Sequence, residues 1–291
     1  MKPPVFDYLA PRSVAEAAEL LRAHDGEAKV LAGGQSLMPL LAMRLARPSL
    51  LVDLGRIPEL DYVREDGGVL AIGAMTTKTT IERSPLVRER QPLFHEATRL
   101  IGHPQIRNRG TVGGSMAQAD PAAEYPAAAI ALGATMRTAR PEGERSIESA
   151  NFFLSALTTA LGPGEILTEV RIPFLPRGTG WSVLEFSRRH GDFAIAGTVV
   201  TLSIEAGRIS SARIALFGVA ATPLRVTSGE DALVGERPGQ AAFETAAQKA
   251  RMATEEPLSD LHASGEYRRH LAGALVGQAL AEAAARARGT L

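Results

Sequence analysis

The sequence predicts an α+β protein in two parts: a two-lobed first domain, then a domain of antiparallel strands followed by helices. Three observations carry this. Up to Gly55, apolar runs of strand and helix type alternate, as in a small α/β unit; from Leu60 strands and short helices mix without that alternation. The segment 173–180, Pro-Phe-Leu-Pro-Arg-Gly-Thr-Gly, is then punctuated four times by proline and glycine, as linkers are. The boundaries follow as lobes of about 1–55 and 56–177 in a first domain 1–177, and a second domain 178–291.

Phe6 to Leu9 is a short extended piece closed by Pro11. Ser13-Val14-Ala15-Glu16 has the form of a capping box, and Val14, Ala17, Ala18 and Leu21 share one face of a helix over 14–23 that Asp25-Gly26 stops. Ala28 to Leu31 reads as a buried strand. A helix starting near Ser36 carries Leu37, Leu40 and Leu41, and Leu50 to Leu54 is a further strand. Tyr62–Arg64 and Val69–Ile72 pair across the turn Asp66-Gly67-Gly68; Thr76–Arg83 and Pro85–Ile101 read as short helices broken by serine and proline. Further strands fall at Ala134–Thr138 and Ile166–Ile172. Beyond the linker, Trp181–Ser187, Thr198–Ile204 and Ile209–Val219 predict three antiparallel strands. Phe243–Arg251 and the Ala/Leu-rich Glu266–Arg288 predict helices.

Composition narrows the chemistry. The 291 residues carry no net charge, so nothing marks a nucleic-acid or acidic-membrane partner. With no cysteine, the chain forms no disulfide or thiolate nucleophile and holds no iron–sulfur cluster on its own ligands. The N-terminus lacks an apolar signal core and no run reaches transmembrane length, so the sequence reads as cytoplasmic. Six histidines (24, 95, 103, 190, 262 and 270) form no metal-spaced pair, and no G-x-S-x-G elbow appears. No catalytic residue and no metal ligand is nominated.

Two glycine pairs stand out: Ala32-Gly33-Gly34-Gln35-Ser36-Leu37 after a strand, and Thr111-Val112-Gly113-Gly114-Ser115 before an apolar helix. Glycine lets the backbone turn tightly and approach a ligand, and free amides there suit an anionic oxygen. A tight strand-to-helix connection explains the first pair equally well. The second adds the polar groups of Thr111, Ser115 and Gln118. Two such motifs in one small domain suit the two phosphates of a dinucleotide, although neither has the spacing of a Rossmann or P-loop fingerprint. Asp120-Pro121-Ala122-Ala123-Glu124 reads as a helix start, Asp120 as N-cap and Pro121 at the first helical position; either carboxylate could instead accept from ribose hydroxyls.

These motifs, with Pro104-Gln105-Ile106-Arg107, Arg171-Ile172-Pro173, Gly191-Asp192-Phe193 and Glu266-Tyr267-Arg268, resemble the FAD-binding medium subunit of molybdenum hydroxylases, of the carbon monoxide dehydrogenase medium-chain type. The resemblance covers nearly the whole chain. It implies a two-lobed FAD domain of the vanillyl-alcohol-oxidase/PCMH type, followed by a three-stranded antiparallel sheet with a helix bundle. It implies that Ala32 to Ser36 and Thr111 to Ser115 hold the FAD diphosphate, with Glu124 on the ribose or phosphate side. Ile101, Ile166, Leu167 and Phe193 would lie near the flavin. Two departures accompany it: Phe193 stands where relatives have tyrosine, and Glu185 where they often have lysine. The implied role is electron transfer beside a large molybdopterin subunit and a small iron–sulfur subunit, in a dimer of heterotrimers. A self-contained flavin oxidoreductase and a cofactor-free scaffold are the alternatives.

Overall fold

The computed structural model describes residues 2–24 and 26–290. The first lobe is a parallel sheet of β1 (Asp7–Leu9), β2 (Ala28–Leu31) and β3 (Leu50–Asp53), in the order β1-β3-β2. Parallel neighbours need crossovers, which α1 (Val14–Ala23) and α2 (Leu37–Ala42) supply. The α1 start is as its sequence dictates: the Ser13 hydroxyl accepts the Glu16 amide at 3.2 Å. The Glu16 carboxylate takes the amide of Arg12 rather than that of the cap residue itself. Ala17, Ala18 and Leu21 pack on Leu50, Val52, Leu54, Ile57 and Leu60 to form this lobe's own core. Of the stop expected at Asp25-Gly26, Asp25 lies outside the described residues, and Gly26 takes φ +83°.

The second lobe is an antiparallel sheet ordered β4-β5-β10-β6-β7, with helices between its strands in sequence. The hairpin β4 (Val63–Asp66) and β5 (Val69–Gly73) is followed by α3 (Lys78–Arg83), α4 (Pro85–Arg90), α5 (Pro92–Leu100), α6 (Pro104–Arg109), α7 (Val112–Gln118) and α8 (Glu124–Leu132). Then come β6 (Thr135–Arg140), β7 (Gly143–Glu148), the small hairpin β8 (Phe153–Ser155) and β9 (Thr158–Thr159), and β10 (Ile166–Pro173). All nine residues of α8 are buried, which its unbroken apolar run required. β7 was not legible in sequence: it is an edge strand that buries only Ile147, so no alternation marks it.

Three long antiparallel strands form the last sheet, β11 (Gly180–Phe186), β12 (Ala196–Glu205) and β13 (Arg208–Phe217), and the two-residue β14 (Leu224–Arg225) joins β13. Helices α9 (Thr227–Asp231), α10 (Gln240–Arg251) and α11 (Gly265–Ala287) complete the chain. Alternation gives this sheet two apolar faces. Ala196, Val200, Leu202, Ile214 and Leu216 pack against α10 and α11, whereas Val183, Val199, Ala215 and Phe217 join the core of the second lobe, where α8 crosses β12 and β13. The sheet therefore fixes everything on its α8-facing side relative to the glycine motifs.

Candidate functional site

The first glycine motif leaves β2 as an irregular turn. Gly34 has φ +74°, a conformation that favours glycine. Gly33 is needed for a different reason: a Cβ there would lie 2.2 Å from the Arg109 carbonyl oxygen and 2.7 Å from the Gly110 Cα. Among the described residues, the amides of Gly33, Gly34, Gln35, Ser36 and Leu37 donate to no backbone carbonyl. The Ser36 hydroxyl is not used as a cap. Five donors without a backbone acceptor and a free hydroxyl thus fall within one short turn, a supply that suits an anion.

The second motif corrects the sequence reading. It is not a loop but a helix start, with Thr111 as N-cap and Val112 to Ser115 as the first turn of α7. Its amides are already engaged: Val112 donates to the Thr76 carbonyl and Gly113 to that of Ala74, both at 2.9 Å. Gly114 donates to the Thr111 hydroxyl at 3.0 Å, and Ser115 to the Thr111 carbonyl at 3.2 Å. Glycine serves packing here, since a Cβ on Gly113 would sit 2.5 Å from that of Ala74. What the segment can offer a ligand is the Ser115 hydroxyl and the positive end of the α7 dipole. The two motifs do meet, because the Cβ position of Gly114 is 3.5 Å from the Ala32 Cβ.

Asp120-Pro121-Ala122-Ala123-Glu124 also differs from expectation. Asp120 closes a turn onto the Ala122 amide at 2.9 Å, and α8 starts only at Glu124, with Ala123 as its N-cap. Asp120 is not the helix cap because the Gly218 amide donates to the Pro121 carbonyl at 2.7 Å, tying this turn to the end of β13 instead. Glu124 is 7 % exposed. Burial pushes its carboxyl up to about 7, with Lys78 opposing and Asp120 adding to the shift. Lys78, a residue the sequence reading passed over, is equally buried. Its ammonium lies 5.6 Å from the Tyr125 ring centroid, and burial lowers its pKa against the pull of Glu124. Nothing local in Thr77-Lys78-Thr79 marks it, since only the fold brings α3 to the start of α8.

Ile101 caps α5 and is buried; its carbonyl and that of Gly102 accept from the buried Arg107 guanidinium, which also holds Glu82 at 2.9 Å. The hairpin loop between β11 and β12 rests on this corner, because Gly191 packs on the His103 ring. Phe193, in the same loop, is 68 % exposed, so the structure leaves its ring largely open. Ile166 and Leu167 open β10 on opposite faces, Ile166 in the first-lobe core and Leu167 in the second-lobe core, at the seam between lobes. Glu185 lies on β11 with Oε2 buried and unpartnered. Burial, then the charge of Glu124, pushes its carboxyl up to about 8.

The family model for the FAD-binding domain of molybdopterin dehydrogenases matches residues 4–175, and that for the carbon monoxide dehydrogenase flavoprotein C-terminal domain matches residues 181–283. The chain is 42 % identical to the carbon monoxide dehydrogenase medium chain of Hydrogenophaga pseudoflava, over 98 % of this chain and 99 % of that one. It is 42 % identical to the nicotine 6-hydroxylase medium subunit of Paenarthrobacter nicotinovorans, over 98 % and 100 %. Its structure superposes with a TM-score of 0.96, at 43 % identity, on a chain of the Hydrogenophaga pseudoflava carbon monoxide dehydrogenase that lacks the Mo-pyranopterin moiety, covering 98 % of this chain and 99 % of that one.

Proposed function

The chain belongs to the FAD-binding medium subunits of molybdenum hydroxylase-type dehydrogenases, and from that premise we propose that it carries electrons, through its FAD, from an iron–sulfur subunit to an external acceptor. It is an oxidoreductase subunit of a multi-subunit enzyme. In our reading the partners are a large molybdopterin subunit and a small iron–sulfur subunit, assembled as a dimer of heterotrimers in the cytoplasm. The division between its two domains falls at 177/178.

One observation carries the assignment of the site: the amides of residues 33–37 are free of backbone acceptors, and their motif meets the first turn of α7, Ala32 lying 3.5 Å from the Cβ position of Gly114. These donors fit a dinucleotide diphosphate. The half-buried, unpartnered carboxyl of Glu185 fits a cleft that a polar cofactor completes. When bound, FAD supplies the electron-carrying chemistry. The protein's residues bind and orient it: Ala32 to Leu37 and Thr111 to Ser115 at the diphosphate, Asp120 and Glu124 at a polar edge. Ile101, Ile166, Leu167 and Phe193 shield the ring system.

The isolated chain loaded with FAD tests this reading. Mixed anaerobically with carbon monoxide or an N-heterocycle such as nicotine, its flavin absorbance at 450 nm (roughly the flavin maximum) should stay unbleached. Adding both partner subunits should bleach it with the true substrate. Bleaching of the isolated chain at a turnover rate would make it a self-contained oxidoreductase instead; a chain that takes up no FAD would be a scaffold.

A further inference from the structure

In the last sheet, Glu185 pairs across the strands with Gly197, and Gly197 with Phe217. Cross-strand partners share a face, and so do Trp181, Val183 and Glu185 along β11. Val183, Val199, Ala215 and Phe217 on that face are packed into the second-lobe core. Glu185 is thus the one carboxylate of an otherwise apolar row of β11, directed towards α8 and not towards α10 and α11. The Gly218–Pro121 hydrogen bond brings the turn before Glu124 to the end of this row. Gly197 bears no side chain and Phe217 covers it, so neither facing strand offers Glu185 a hydrogen-bond partner.

We propose that FAD retention by this chain is proton-linked through Glu185, which donates its carboxylic O–H to an acceptor atom of the bound cofactor, while the neighbouring Glu124 is the carboxyl that the Lys78 ammonium offsets. The inference rests on the FAD reading above. The titratable group whose charge acts on this position is Glu124 from α8, and Lys78 from α3 and Asp120 from the preceding turn act in their turn on Glu124. One buried ammonium accompanies two buried carboxyls, so one carboxyl stays neutral most cheaply, and the one without a cation acting on it is Glu185. A neutral acid with an unpartnered, buried oxygen is a donor in search of an acceptor. Once ionised it would instead place a second negative charge against Glu124 and the anionic dinucleotide.

The test is the affinity of the full chain for FAD, read by flavin fluorescence between pH 6 and 9, with circular dichroism at each pH to verify folding. A single proton leaving a group at about 8 weakens binding about tenfold between pH 7 and 9. Glu185→Gln keeps a donor that cannot ionise and should lose the weakening between pH 7 and 9. A flat profile in the parent chain, or an equal slope in Glu185→Gln, overturns the proposal. Absence of FAD binding already at pH 6 would instead count against the FAD reading, so the two failures are distinguishable.

Discussion

Replacing Gly33 with alanine adds one methyl against the main chain that leads into the second glycine motif. Built on the present backbone, that methyl lies 2.2 Å from the Arg109 carbonyl oxygen and 2.7 Å from the Gly110 Cα, both main-chain atoms. Ordinary contact needs the two segments to separate by about 1 Å, which neither can do by rotating a side chain. Overpacking of this kind costs about 1–3 kcal/mol of stability. For a domain of this size each kcal/mol lowers Tm by roughly 2–4 °C. The same displacement moves the free amides of 33–37 relative to the first turn of α7. Losing one hydrogen bond to a charged phosphate costs about 1.5–3 kcal/mol, or a roughly 10- to 100-fold weaker FAD complex. Gly67→Ala is the control. Unlike Gly33 it has a positive φ, +60°, but there is nothing within 4 Å of its Cβ position, so it should lower Tm slightly and leave FAD affinity untouched. Fluorescence titration with FAD and thermal melts followed by circular dichroism measure both effects. An FAD affinity for Gly33→Ala within about twofold of the parent, well under the loss of one such bond, would refute the assignment of this turn to the diphosphate.

Arg107→Met removes the guanidinium that ties Glu82 to the Ile101 and Gly102 carbonyls; because Glu82 is 28 % exposed, the loss should be near 3 kcal/mol, the low end for a buried pair, measured by urea denaturation. Gly191→Ala should lift the hairpin loop, since its methyl would meet the His103 ring at 2.4 Å, and limited trypsin digestion at Arg188 and Arg189 should accelerate; unchanged cleavage would mean the loop does not rest on His103. The FAD-free chain should also show a two-sided pH profile of Tm. Glu124 and Glu185 have folded values raised to about 7 and 8, so their contribution is fully present below the ordinary carboxylate range and is lost as pH rises through 7 to 8. At Glu165 burial pushes the carboxyl up, but Arg145, the Gly162 amide and Thr138 outweigh it and hold it at about 2, so its contribution is present above the ordinary range and lost as pH falls towards 2. Glu185→Gln should remove the part of the alkaline limb near pH 8, keep the part near pH 7 that Glu124 supplies, and leave the acid limb alone.

The elements that the sequence by itself determined are those whose signals lie within a turn or a strand of themselves. Helix α1 runs over Val14–Ala23 because Ser13 caps it and Ala17, Ala18 and Leu21 line one face, and the chain shows both facts locally. The three long strands of the last sheet follow from alternation, which marks both apolar faces once one knows that each is covered. The existence of two glycine motifs and a carboxylate after the second was equally plain. Their roles were not. Gly113 reads as a ligand-approaching glycine until Ala74, the residue after β5, is seen against it, where only a residue without a Cβ lets α7 begin. Pro121 reads as the first residue of a helix until Gly218 claims its carbonyl. Lys78, Glu124 and Glu185 are separated in the chain and carry no shared pattern, yet burial makes each shift the next. Caps and periodicities are set by neighbours three or four residues apart, so a sequence displays them. Close backbone approaches and buried charge couplings are set by which distant segments the cores press together, and only the tertiary structure decides that.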